Sequence, residues 1–146
     1  MSVTEIAAKV AEALNEDEAL AAQDGFRAIA EDAGDPVFEV ERAMGEAGVL
    51  AVVSADGFER RAKSGPLLSV TARIRVTVLE NVQLNRPGGD AAFLSAGRAA
   101  ERIARVLHWR DLGLESPLRL GRMERADADG VARVSMDFAA EAVLGG

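Results

Sequence analysis

The 146 residues include no cysteine, a single histidine (His108), a single tryptophan (Trp109) and only two lysines, Lys9 and Lys63. Without cysteine there is no disulfide scaffold, thiolate metal site, iron–sulfur cluster or cysteine nucleophile. One histidine excludes a multi-histidine metal centre and a His–His relay. No apolar run approaches the roughly 20 residues that span a bilayer, so no membrane partner is expected. The first residues are amphipathic, with Glu5 and Glu12. They lack a basic stretch followed by an apolar core, so no targeting segment is expected there.

What is present is enough for a core. Hydrophobic residues make up 49% and charged residues 28% of a 15.4 kDa chain. One domain over residues 1–146 is expected, burying roughly 68–70% of its unfolded surface. Asp and Glu number 24 against 17 Lys and Arg, for a net charge of -7. That balance argues against tight, specific nucleic-acid binding, which needs several cations on one face. Whole-chain charge does not speak for one face, however, and Arg98, Arg102 and Arg105 form a local basic stripe.

Periodicity outlines the elements. A helix is expected over residues 3–14, with Val3, Ile6, Ala7, Val10 and Leu14 on one stripe and the Ser2/Glu5 spacing of a capping box. Glu16-Asp17-Glu18 breaks that pattern and Asp24-Gly25 marks a turn, followed by a short strand over 26–31. Asp35-Pro36 opens a helix over 37–44, although Phe38, Val40 and Met44 alternate and also fit a strand. The apolar run 49–54 reads as a strand closed by a turn at Asp56-Gly57. Val70, Ala72, Ile74, Val76 and Val78 alternate with polar residues, the period of a strand with one buried face.

Asn85-Arg86-Pro87-Gly88-Gly89 is a loop. A helix over 91–108 follows, with Phe93, Ala96, Gly97, Ala100, Ile103, Ala104 and Leu107 inward and Glu101 spaced to pair with Arg105. Strands over 118–124 and 131–143 form a terminal hairpin, the second with Ala132, Val134, Met136, Phe138, Ala140 and Ala142 on one face. The order is helix, short elements, strands, helix, β-hairpin. This is an α+β fold, a largely antiparallel (mixed) sheet with helices packed on one face.

No motif assigns chemistry. His108 ends a helix, where a cation suits the dipole and the last carbonyls, and no nucleophile or orienting acid is spaced to make it a base. Trp109 is read as core or interface packing. Asp127-Ala128-Asp129-Gly130 begins like a calcium loop, but the twelfth position is Phe138, so a hairpin turn is the reading. Gly88-Gly89 precedes no Lys-Ser/Thr pair, and no GxGxxG follows a strand, so no nucleotide cofactor is expected. Glu16-Asp17-Glu18 and Asp32/Asp35 read as solvated or capping carboxylates rather than metal ligands. The chain is read as a non-enzyme with no catalytic, cofactor or metal site.

Three segments together carry a resemblance. They are the strand-to-loop stretch Arg75-Val-Thr-Val-Leu-Glu-Asn-Val-Gln-Leu-Asn-Arg86, the helix Ala99-Ala-Glu-Arg-Ile-Ala-Arg-Val-Leu-His108, and the hairpin Arg122-Met-Glu-Arg-Ala-Asp-Ala-Asp-Gly130 leading into Val131-Ala-Arg-Val-Ser-Met-Asp-Phe138. In this order, after a helical N-terminus, they resemble the small tail-terminator (tail-completion) proteins of tailed bacteriophages and related prophage-encoded proteins, over about residues 67–144.

The resemblance implies a homo-oligomeric ring, typically a hexamer, that ends tail-tube growth and meets the head–tail connector. It implies the tail tube protein and the connector as partners, assembly in the host cytoplasm, and a place in the virion tail. Under it, the assembly surfaces are the loop Asn85, Arg86, Pro87, Gly88 and Gly89 and the wet strand face of Arg73 and Arg75. The bland alternative is an ordinary exposed loop and strand face. Competing functions are a small-ligand or peptide-binding module using a cleft under the helix over 91–108, a hydrolase without a motif, and a neck or connector protein of the same particle.

Overall fold

The fold, taken from a computed structural model, is described for residues 3–22, 26–30, 48–61, 68–81, 95–127 and 131–144. Its elements are α1 (Val3–Glu16), α2 (Glu18–Ala21), β1 (Phe26–Ala30), β2 (Val49–Arg60), β3 (Leu68–Asn81), α3 (Ala96–Leu107), β4 (Arg119–Arg125) and β5 (Val131–Leu144). The strands form one mixed sheet in the order β1-β2-β3-β5-β4, with β1 and β2 parallel and the other neighbours antiparallel. The α+β architecture expected from the sequence holds. The helix expected over 37–44, the Asp24-Gly25 turn and the Asn85–Gly89 loop lie outside the described residues.

The centre of the sheet is the 14-residue pairing of β3 with β5, Val70 opposite Ala142 through Val78 opposite Val134. Alternation puts Val70, Ala72, Ile74, Val76 and Val78 on the same side as Val134, Met136, Phe138, Ala140 and Ala142, all buried. Onto this face pack Ile6, Val10 and Leu14 of α1, Leu20 of α2, and Ala96, Ala99, Ala100, Ile103 and Leu107 of α3. The alanines let α3 approach the strands closely. Among the described residues, core side chains of α3 and the strands pack directly against one another. A smaller cluster of Leu50 and Leu79, with Ile29, Val52 and Val131 against it, occupies the opposite face. The run from Val49 to Val53 is therefore apolar on both faces, as parallel pairing requires.

Three boundaries differ from the sequence reading. β2 does not turn at Asp56-Gly57 but runs on to Arg60, absorbing one residue in a bulge between Ala55 and Gly57. Gly57 adopts φ 122, backbone open to glycine but not to L-residues, and this lets the strand kink and continue. A Cβ there would meet nothing within 4 Å, so Gly57→Ala should cost about 1 kcal/mol through backbone strain alone. Urea unfolding of the variant measures it; an unchanged midpoint would contradict the bulge.

The second difference is the start of α3, at Ala96 rather than 91. Ser95 is extended (φ -72, ψ 169) and caps the helix, its Oγ accepting from Arg98 N–H at 3.4 Å. Within α3, Ala99 is buried whereas Gly97 and Ala104 are only partly so. Third, α1 runs on to Glu16 and stops where Asp17 turns extended to cap α2, accepting from Leu20 N–H at 3.1 Å.

The two flanks of the sheet are finished differently. At β1, the Asn15 side chain donates to the Ala28 carbonyl and accepts the Ala28 N–H, both at 2.9 Å, taking the place of a neighbouring strand. At β4, residues 121–125 are exposed.

Candidate assembly surfaces

The wet face of the sheet is laced with cross-strand ion pairs. Arg73 reaches Glu59 on β2 at 3.5 Å, and both side chains are more than half exposed. Arg75 lies between two strands, 3.0 Å from Asp137 of β5 and 3.5 Å from Asp56 at the β2 bulge. The hydrogen bond to Asp137 is the chief reason its pKa is raised, with the charges of Asp137 and Asp56 adding to it. Both arginines expected to meet a neighbour's carboxylates thus already touch carboxylates of their own chain. Of the other expected surface residues, Asn85, Arg86, Pro87 and Gly88 lie outside the described residues.

Carboxylates the sequence did not single out hold the fold's corners. Glu80, 6% exposed, sits at the end of β3 and accepts the N–H of Ala96 at 3.0 Å through Oε1, joining the strand to the first turn of α3. Glu141 of β5 takes both arms of the Arg119 guanidinium at 2.6 Å and a short hydrogen bond from Ser116. The Arg119 fork, then Ser116, pull the Glu141 carboxyl down from 4.5 to about 2. Asp17 receives a similar fork from Arg102 at 2.8 and 3.0 Å, which lowers its pKa despite partial burial. A shallow polar depression of about 330 Å³ surrounds this pair, lined by Ala13, Glu16, Asp17, Glu18, Arg102 and Arg110. Asp17, read from the sequence as a solvated or capping carboxylate, is a helix cap and also half of an ion pair.

The segment after α3 narrows two expectations. His108 caps the helix through its backbone N–H, which donates to the Ala104 carbonyl. Its ring Nδ1 accepts the Leu120 N–H at 3.0 Å, which requires that nitrogen to be unprotonated. Trp109 is not in the core: it is 63% exposed and sits edge-on to His108 with ring centroids 5.7 Å apart. It also holds φ 65, a left-handed conformation that costs a bulky L-residue about 1 kcal/mol. Neighbouring backbone hydrogen bonds keep it there: Trp109 N–H to Leu118 O at 2.7 Å, Arg110 N–H to Leu107 O at 3.0 Å and Leu118 N–H to Arg110 O at 3.1 Å. The Glu101–Arg105 pair suggested by spacing does not form among the described residues. Asp127 closes the terminal hairpin, pairing with Arg125 at 3.1 Å and accepting the Arg133 N–H at 3.2 Å, while positions 128–130 lie outside the described residues.

In class, the molecule is a mixed-sheet α+β protein with both helical layers on one side. No helix among the described residues is long and apolar enough to cross a membrane. No protein-family model matches the sequence, and no curated protein does. Among solved structures, the chain is similar to a chain of the "Virion of native gene transfer agent (GTA) particle", with a TM-score of 0.60 and 20% identity over 94% of each chain. At that identity the likeness is one of fold.

Proposed function

We propose that this chain is a structural subunit of a phage-like particle, and within it the terminator that caps the tail tube as a homo-oligomeric ring, six copies in number, and joins it to the head connector. Assembly in the host cytoplasm and residence in the virion tail follow from that role. The observation that carries the proposal is the likeness of fold, over 94% of both chains, to a chain of a gene transfer agent virion. The chemistry of the described carboxylates agrees with it: Glu80, Asp17 and Glu141 each fasten one element to another. A ring needs a heterologous contact that closes by rotation, and a polar, ion-paired sheet face offers one side of such a contact.

The mass in solution tests the ring, measured alone and with the tail tube protein of the same particle. The expected result is a species about six times 15.4 kDa, with a central hole in negative-stain images, that binds tube ends. A 15.4 kDa species under both conditions would overturn the proposal.

Arg73 and the 85–88 loop are proposed as contacts of that ring. Arg73→Glu is expected to weaken assembly about tenfold, a change of about 1.4 kcal/mol, and to lower monomer stability by less than about 1 kcal/mol, because the Glu59 pair it replaces is mostly exposed. Arg75→Glu is a poorer probe, because it sets a new carboxylate beside Asp56 and Asp137 and strains the monomer itself. A ring unchanged by Arg73→Glu in light scattering removes Arg73 from the interface.

A further inference from the structure

The side of the molecule away from the sheet is divided by charge. On α3, Arg98 and Arg105 stand seven residues apart, two turns along one outward line, opposite the buried Ala99, Ile103 and Leu107. Both are exposed, and among the described residues neither has a carboxylate within ion-pair distance. Arg102 between them leans to Asp17 instead. Past the end of α3, four residues after Arg105, comes Trp109, exposed and held in its left-handed conformation. On α3, Arg98, Arg102 and Arg105 share the outward face with a single carboxylate, Glu101.

On α1 the sign is reversed. Glu5, Glu12 and Glu16 fall within an arc of about 40°, opposite the buried Ile6, Val10 and Leu14. Residues 3–21 hold five carboxylates against Lys9 alone. Both helices pack on the same sheet face, so both stripes point away from it on the same side.

We propose that this surface binds a second copy of the chain, the Arg98–Arg105 stripe and Trp109 of one copy seating on the α1 carboxylate stripe of the other. The inference rests on the self-assembly reading above and adds to the Arg73 contact a second pair of mating surfaces, on the helical side. The occupant is a second copy because one molecule presents both halves of the charge match, and each copy gives one half and accepts the other. Trp109 supplies what charge alone does not. An indole left mostly in water gains the most when buried, and tryptophan with arginine around it is the composition of an interface hot spot. A strained residue held in place by its backbone neighbours fits a fixed anchor better than a loose surface side chain.

Two reversals test the match in sedimentation velocity, with circular dichroism reporting the fold. Arg98→Glu with Arg105→Glu, and separately Glu12→Arg with Glu16→Arg, are each expected to weaken self-association at least about tenfold, a single local charge match being of that size. Mixed in equal amounts, the two variants are expected to associate again, because the acidic α3 of one then meets the basic α1 of the other. Trp109→Gly is expected to fold at least as well as the wild type, since glycine relaxes φ 65, yet to associate about tenfold less. Wild-type association by both reversed variants, or no recovery on mixing, would overturn the surface while leaving a wild-type ring intact. A wild-type dimer dissolved by the reversals would keep the surface and remove the ring; a wild type monomeric throughout would remove both.

Discussion

Glu80→Ala is expected to lower folding stability by about 2–3 kcal/mol, measured by urea unfolding at neutral pH. The substitution removes a charged acceptor from the Ala96 N–H, a hydrogen bond of about 1.5–3 kcal/mol, and leaves that donor buried beneath the first turn of α3. It also takes a negative charge from the positive end of the helix dipole. Glu80→Gln separates the two effects. The amide oxygen can still accept the Ala96 N–H, so only the charge is lost, and the cost should fall to about 1 kcal/mol or less. Equal losses in both variants would show that the N–H contact contributes little.

Acid should loosen the corner of the molecule where β4, β5 and the preceding turn meet. Glu141 has its pKa depressed in the fold, so its contribution is complete above the ordinary value of 4.5 and disappears as pH falls toward about 2. The full shift corresponds to about 3 kcal/mol, and solvent around the half-open Arg119 reduces this to about 1–2 kcal/mol. Asp17, lowered by Arg102, adds to the same acid limb. Glu141→Gln should therefore lose about 2 kcal/mol at pH 7, since it breaks the fork and disturbs Ser116, and should be less sensitive to acid between pH 5 and pH 2. An acid limb as steep as that of the wild type would place the lost protonation site elsewhere.

The sequence was most legible where one physical pattern ruled a whole element. Strict alternation located β3 and the inward face of β5, and the 3.6-residue stripe located α1, because burial on one side decides those positions. It was less legible where a single residue changed the outcome. Asp-Gly is a turn dipeptide, yet at Asp56-Gly57 the pairing of β2 with β3 continues on either side and turns it into a bulge. The parallel partnership of β1 with β2 leaves only the continuous apolar run of 49–53, which does not tell which strand is the partner.

For the surfaces, Arg73 and Arg75 were correctly read as outward, but their ties to Glu59, Asp56 and Asp137 depend on register, which no single strand reveals. Glu80 did carry a signal. It falls on the inward register of β3, two places after Val78, and a carboxylate there must have a buried donor. For Trp109 the sequence left core and interface packing open, and the backbone turn after α3, which puts the ring in water, excludes the core.

The Asn15 clasp on Ala28 has a consequence for particles that gather many copies in a small volume. Endless stacking of folded chains by main-chain pairing needs a receptive ladder on both sides of every molecule. Here the outward N–H and carbonyl of Ala28, at the middle of β1, are already occupied by an amide of the same polypeptide, which works against strand-to-strand docking at that point.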